Sequence, residues 1–95
     1  MTTLIVNADD FGLSEPVNQG IADAHTGGIV TSTTWLAGGD AADEAVELAR
    51  TAPQLEVGLH LALTDVRPVG DPAPFRSLLS TEGRWRSGYG SVIRW

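Results

Sequence analysis

The chain has 95 residues, enough for one small domain, with 42% hydrophobic residues and a mean hydropathy near zero. Twelve acidic residues against six arginines and no lysine give a formal net charge of −6, which argues against nucleic-acid binding and removes Schiff-base and P-loop lysine chemistry. There is no cysteine, so disulfides, thiolate nucleophiles and Cys-ligated zinc are excluded.

The first element is a short buried strand over Leu4–Ala8, which runs into Asp9-Asp10 and a turn at Phe11-Gly12. Ser14 is placed to cap a helix whose first turn holds Pro16, where a missing N–H is harmless. Val17, Ile21 and Ala24 recur at helical spacing, and His25 with Gly27-Gly28 marks the helix exit. The β-branched run from Ile29 to Leu36 predicts a second strand. After Gly38-Gly39, Asp40 is placed to cap a second helix, with an apolar stripe of Ala42, Ala45, Val46 and Ala49 and an end at Pro53.

A third strand is predicted over Leu55–Leu63. It alternates cleanly, with Val57, Leu59, Leu61 and Leu63 on one face and Gly58, His60, Ala62 and Thr64 on the other. In a barrel the large apolar face would meet the helices, and His60 would be the large polar group aimed inward. Beyond Thr64, Pro68, Pro72 and Pro74 among Gly and Asp read as a long C-terminal loop. The tail from Gly83 carries Arg84, Arg86 and Arg94 with Trp85, Tyr89 and Trp95 and has no clear periodicity. The order β-α-β-α-β predicts an α/β fold with parallel strands and right-handed crossovers.

No apolar run is long enough to span a bilayer, and the N-terminus lacks the basic segment and apolar stretch of a signal peptide. The expected setting is therefore cytoplasmic, without a membrane partner.

Asp9 and Asp10 carry the strongest chemical signal. Two adjacent carboxylates at the mouth of a buried strand repel each other, and burial disfavours both charges. A divalent cation beside them relieves this, and so would one shared proton. Both can reach one pocket only if the backbone turns there, which Phe11-Gly12 would supply. One carboxylate would then bind metal and the other act as general base. The plain alternative is a solvated turn ahead of a helix.

His60 lies in an apolar strand near the same end of the sheet, and a His–Asp pair suits a divalent ion with mixed nitrogen and oxygen ligands. Otherwise it is a satisfied core histidine or an exposed strand residue. His25, at a helix C-terminus, reads as structural. In the Thr31-Ser32-Thr33-Thr34 run, strand propensity explains most, with pocket lining as a second reading. Asp10-Phe11-Gly12 matches a protein-kinase metal motif in letters only, since the loop, strand lysine and catalytic loop that precede it in kinases are absent.

Three ordered motifs, Asn7-Ala8-Asp9-Asp10-Phe11-Gly12-Leu13-Ser14, Gly28-Ile29-Val30-Thr31-Ser32-Thr33-Thr34 and Val57-Gly58-Leu59-His60-Leu61-Ala62-Leu63-Thr64, resemble the YdjC-like carbohydrate deacetylases, the chitooligosaccharide deacetylase relatives. The resemblance implies a β/α barrel related to polysaccharide deacetylases and a divalent ion, magnesium or in some members zinc. It also implies hydrolysis of an N-acetyl group on an oligosaccharide. Carried onto this chain, Asp9 resembles the general base, and Asp10 and His60 resemble metal ligands.

The resemblance further implies a metal-binding His in a His-rich motif well downstream, and a later His as the leaving-group acid. Residues 1–95 are therefore expected to form a partial β/α barrel, the N-terminal part of a larger domain. Two other readings stand beside this one: a receiver-like magnesium-binding signalling module, and an inactive remnant whose unpaired sheet edges drive self-association into a dimer.

Overall fold

The computed structural model describes residues 1–88 and 90. Tyr89, Arg94 and Trp95 of the aromatic and basic tail lie outside the described residues. The elements are β1 (Asn7–Phe11), α1 (Glu15–Thr26), β2 (Ser32–Trp35), α2 (Ala42–Thr51), β3 (Glu56–Leu59) and a 3₁₀ helix (Ala73–Leu78). The strands form one three-stranded sheet in the order β1-β2-β3, and both pairs are parallel. This is the expected α/β alternation, with β2 and β3 shorter than expected and β1 of the expected length but displaced three residues toward the C-terminus.

Each change has a local cause. A strand lasts only while a neighbour can pair with it. Pairing of β1 begins at Val6, whose carbonyl accepts from Thr31 N (3.0 Å) and Ser32 N (3.2 Å). Leu4 and Ile5, expected in the strand, precede that point and are exposed. Ile29 and Val30, expected in β2, instead finish the turn out of α1. Val30 N donates to Ala24 O (3.2 Å), and His25 Nδ1–H donates to Val30 O (2.8 Å). β3 stops at Leu59 because β2 has ended at Trp35.

The helices follow their signals more closely. Ser14 caps α1, its Oγ accepting from Val17 N at 3.4 Å. Asp40 does not cap α2. The N-cap is Ala41, which has no side-chain cap bond. That helix start is pinned through backbone, with Ala41 N donating to Gly12 O at 2.9 Å.

The core lies between the helices and one sheet face. Phe11, Ile21 and Ala45 are buried at its centre, with Ala8, Val17, Trp35, Leu48 and Ala49 packed around them. Phe11, expected in a turn, therefore ends β1 as a core residue. Burying such a ring contributes roughly 1.5–3 kcal/mol. The helix-side face of β3 is thinly covered. Val57 borders a 320 Å³ apolar cavity beside Ala45 and Val46 of α2, and Leu59 is 60% exposed.

Residues Met1–His60 form one compact unit, and the described residues from Leu61 onward form a second. The second unit is not the featureless loop expected. It holds the 3₁₀ helix and an antiparallel bridge between Leu79 and Trp85. Trp85 N donates to Val66 O at 2.8 Å, and the Phe75 and Trp85 ring centroids lie 5.6 Å apart. No helix among the described residues is long and apolar enough to cross a membrane.

Candidate functional site

Strand alternation decides which side chains of β1 can meet. Asn7 and Asp9 share a face with Ser32 and Thr34 of β2. Ser32 Oγ donates to Asn7 Oδ1 (2.8 Å), and Thr34 Oγ1 donates to Asp9 Oδ1 (3.0 Å). Asn7 Nδ2 donates to the same Asp9 oxygen at 2.8 Å. Both bonds fall on Oδ1, so Oδ2 of Asp9 has no hydrogen-bond partner among the described residues.

In a regular strand Asp10 would point toward the helices. The ladder breaks instead. Pairing passes from Ala8↔Thr33 to Phe11↔Trp35, so Asp9 and Asp10 together oppose Thr34 alone. This is a β-bulge, which bends a strand and re-aims a side chain. Asp10 takes φ 69°, in the left-handed region that Asp tolerates better than most residues. Its Oδ1 lies 3.3 Å from His60 Nδ1. The backbone therefore bends at Asp10, inside β1 and ahead of the turn, which the sequence does not indicate. Gly12 (φ 110°) completes the turn, and a Cβ there would lie 2.9 Å from Leu36 O.

His60 follows β3 directly. Its N–H donates to Trp35 O at 2.9 Å, which carries the ladder one residue past the strand. The two ends of the site are not on neighbouring strands, because β2 lies between β1 and β3. Thr34 of β2 fills the gap. Its Oγ1 bonds Asp9 and lies 3.4 Å from His60 Nδ1. The site is open to solvent, with the His60 side chain 29% and the Asp10 side chain 48% exposed.

The structure thus brings Asp10 and His60 together and sets Asp9 beside them through Thr34. The hydroxyl run divides by face. Ser32 and Thr34 line the site, whereas Thr33 is buried on the helix side and donates to Ala8 O at 2.7 Å. His25 is bonded to Val30 O, as a structural residue would be.

Asn18 was not legible as a site residue. It is fully buried, accepts from Gly12 N at 2.6 Å, and donates to Ala41 O (3.0 Å) and Glu44 Oε2 (2.7 Å). The available signal was a carboxamide three residues before Ile21, on the apolar stripe of α1.

Asp10 and His60 present one carboxylate oxygen and one imidazole nitrogen 3.3 Å apart. Neighbouring donors around an ion with bonds of about 2.1 Å stand roughly 3 Å apart, so the pair fits part of a mixed nitrogen and oxygen coordination sphere. Among the described residues, no cluster of three or more His, Cys, Asp or Glu is placed to hold a metal ion.

Residues 3–94 match the family described as YdjC-like protein. The chain belongs to the YdjC-like family. This is the family that the three sequence motifs resemble. The YdjC-like chain is 49% identical over 90 residues to a protein of Brevibacillus brevis named carbohydrate deacetylase, covering 95% of this chain and 36% of that one. It is 54% identical over 68 residues to a protein of Salmonella paratyphi B named chitooligosaccharide deacetylase, covering 72% of this chain and 27% of the other.

Among solved structures, an Enterococcus faecalis protein named for cellobiose-phosphate cleavage matches with a TM-score of 0.77 and 44% identity, over 86% of this chain and 33% of that one. The YdjC-like chain spans between 27% and 36% of the length of these relatives.

Proposed function

We propose that this chain supplies the general base and two metal-binding groups of a carbohydrate deacetylase, one that hydrolyses N-acetyl groups on an oligosaccharide. The observation that carries the proposal is the 3.3 Å approach of Asp10 Oδ1 to His60 Nδ1, beside a second carboxylate held separately. Support comes also from the names of the relatives, which are carbohydrate and chitooligosaccharide deacetylases.

In this reading Asp10 and His60 hold a divalent cation, with magnesium favoured and zinc as the second choice. The cation supplies Lewis acidity toward an amide carbonyl and its attacking water. Asp9 takes the proton from that water. Asn7 and Thr34 fix Oδ1 of Asp9, and Oδ2, which has no partner among the described residues, is left to accept. Holding one oxygen spares the base a conformational search as the proton moves. Water's oxygen joins the acyl carbon, the carbon–nitrogen bond breaks as the nitrogen takes a proton from a general acid supplied by the rest of the domain, and acetate and a free amine result.

The three-stranded sheet is, on this proposal, the first part of a β/α barrel whose remaining strands come from the rest of a longer domain. The site lies at the carboxyl end of β1 and just past β3, where α/β folds place their chemistry. The complete protein, supplied with an N-acetylated chitooligosaccharide and magnesium, should release acetate. A complete, folded protein that binds a divalent ion and releases none from any N-acetylated oligosaccharide contradicts the proposal.

A further inference from the structure

The backbone of residues 10–13 decides where the Asp10 carboxylate goes, and that backbone is held at several points. Leu13 N donates to Asp10 O (3.0 Å), Ala41 N donates to Gly12 O (2.9 Å), and Leu36 N donates to Phe11 O (2.7 Å). The Gly12 N–H is buried and needs an acceptor. It finds a side chain, Oδ1 of Asn18, at 2.6 Å.

We propose that Asn18 is the positioning residue of this site: its carboxamide holds the turn that aims the Asp10 carboxylate at His60. The inference rests on the reading of Asp10 and His60 as a metal-binding pair. Its chemistry is specific. The position needs one acceptor, toward Gly12 N, and two donors, toward Ala41 O and Glu44 Oε2. Asn provides all three from one planar group. Asp would lose the donors and set a buried charge beside Glu44. Leu would fill similar space and leave the Gly12 N–H and the Ala41 carbonyl without this partner.

Asn18 joins three parts of the fold: its own helix α1, the turn after the bulge, and the start of α2. The turn is also crowded from the other side. A Cβ on Gly39 would lie 2.1 Å from Gly12 O. A residue that only filled the core would not need to address the turn's N–H. Asn18 addresses it two residues beyond the left-handed Asp10, where a small rotation of the peptide redirects the carboxylate.

The chain has two histidines, His25 and His60, which makes a direct test available. The ring signals of both are recorded by NMR at one pH for the 95-residue chain and its Asn18→Ala and Asp10→Ala variants, first without metal and then with Mn²⁺. Without metal, the His60 signals of Asn18→Ala should move toward those of Asp10→Ala, while His25, on the same helix as Asn18, stays in place. With Mn²⁺, selective broadening of His60 should weaken by about tenfold in required ion concentration, the lower end of the range for groups that orient a ligand.

A wild-type pattern for His60 in Asn18→Ala overturns the inference. So does an equal movement of His25, which would make Asn18 a general structural residue. If Mn²⁺ fails to broaden His60 even in the unmodified chain, Asp10 and His60 do not hold a cation by themselves. The metal-free shift then still decides whether Asn18 aims Asp10. Should Asn18→Ala not fold, Glu44→Ala removes one of the three bonds. It should give a smaller His60 shift in the same direction, and no shift there overturns the inference equally.

Discussion

The Asp10 carboxylate and the His60 imidazole lie 3.3 Å apart although a whole strand separates their backbones. Two strand spacings amount to roughly 9–10 Å, too far for two regular strand residues to touch. The contact exists because Asp10 sits in a bulge with left-handed backbone and because His60 extends one residue past β3. Both side chains reach over Thr34. The proposed chemistry depends on this bridging.

Asp9→Asn in the complete protein should keep divalent-ion affinity and lose hydrolysis by about 10²–10⁴-fold, the usual contribution of a positioned base. The amide keeps an oxygen for Asn7 and Thr34 but is a far weaker proton acceptor. Acetate release measured at saturating metal checks this. Release at the original rate would remove Asp9 from the role of base.

Thr34→Val deletes the hydroxyl and nearly preserves shape. Asp9 then keeps only its bond from Asn7. The turnover number should fall about tenfold with KM little changed, the effect of losing one hydrogen bond to a charged group. Metal affinity should hold. An affinity loss as large as that of His60→Ala would place Thr34 at the ion and not at the base.

Gly39→Ala should destabilise the chain by about 2–3 kcal/mol, because its Cβ would lie 2.1 Å from Gly12 O and 2.6 Å from Gly12 C, so backbone must move. Urea denaturation followed by circular dichroism reads this. An unchanged midpoint would mean that the crossing of the two loops is loose.

Val57 and Leu59 on the edge strand β3 are 45% and 60% exposed. An exposed apolar edge invites pairing. The 95-residue chain alone should therefore self-associate, and Leu59→Lys should shift it toward monomer in size-exclusion chromatography with light scattering. A unmodified chain that runs as a monomer at every concentration tested would contradict this.

Much of this architecture is legible in the residues themselves. Ser14 with Pro16 marks the start of α1, the strand–helix alternation holds, and Asp9, Asp10 and His60 stand out as polar groups at the ends of apolar runs. What escapes the sequence is whatever depends on a partner. The alternation of β3 continues to Leu63 on paper, but pairing ends where β2 runs out. Ile29 and Val30 have strand propensity, yet His25 and Ala24 bind Val30 into the helix exit. The bulge at Asp10 and the buried Asn18 are tertiary facts, since an Asn on an apolar stripe has no visible role until Gly12, Ala41 and Glu44 surround it.

The most direct test is isothermal titration of the complete protein with magnesium, and separately with zinc, in a cycle of Asp10→Ala, His60→Ala and the double variant. Shared coordination predicts that each single change weakens binding at least about tenfold and that the double change adds much less than the sum of the two. Unaltered affinity in both single variants would contradict it.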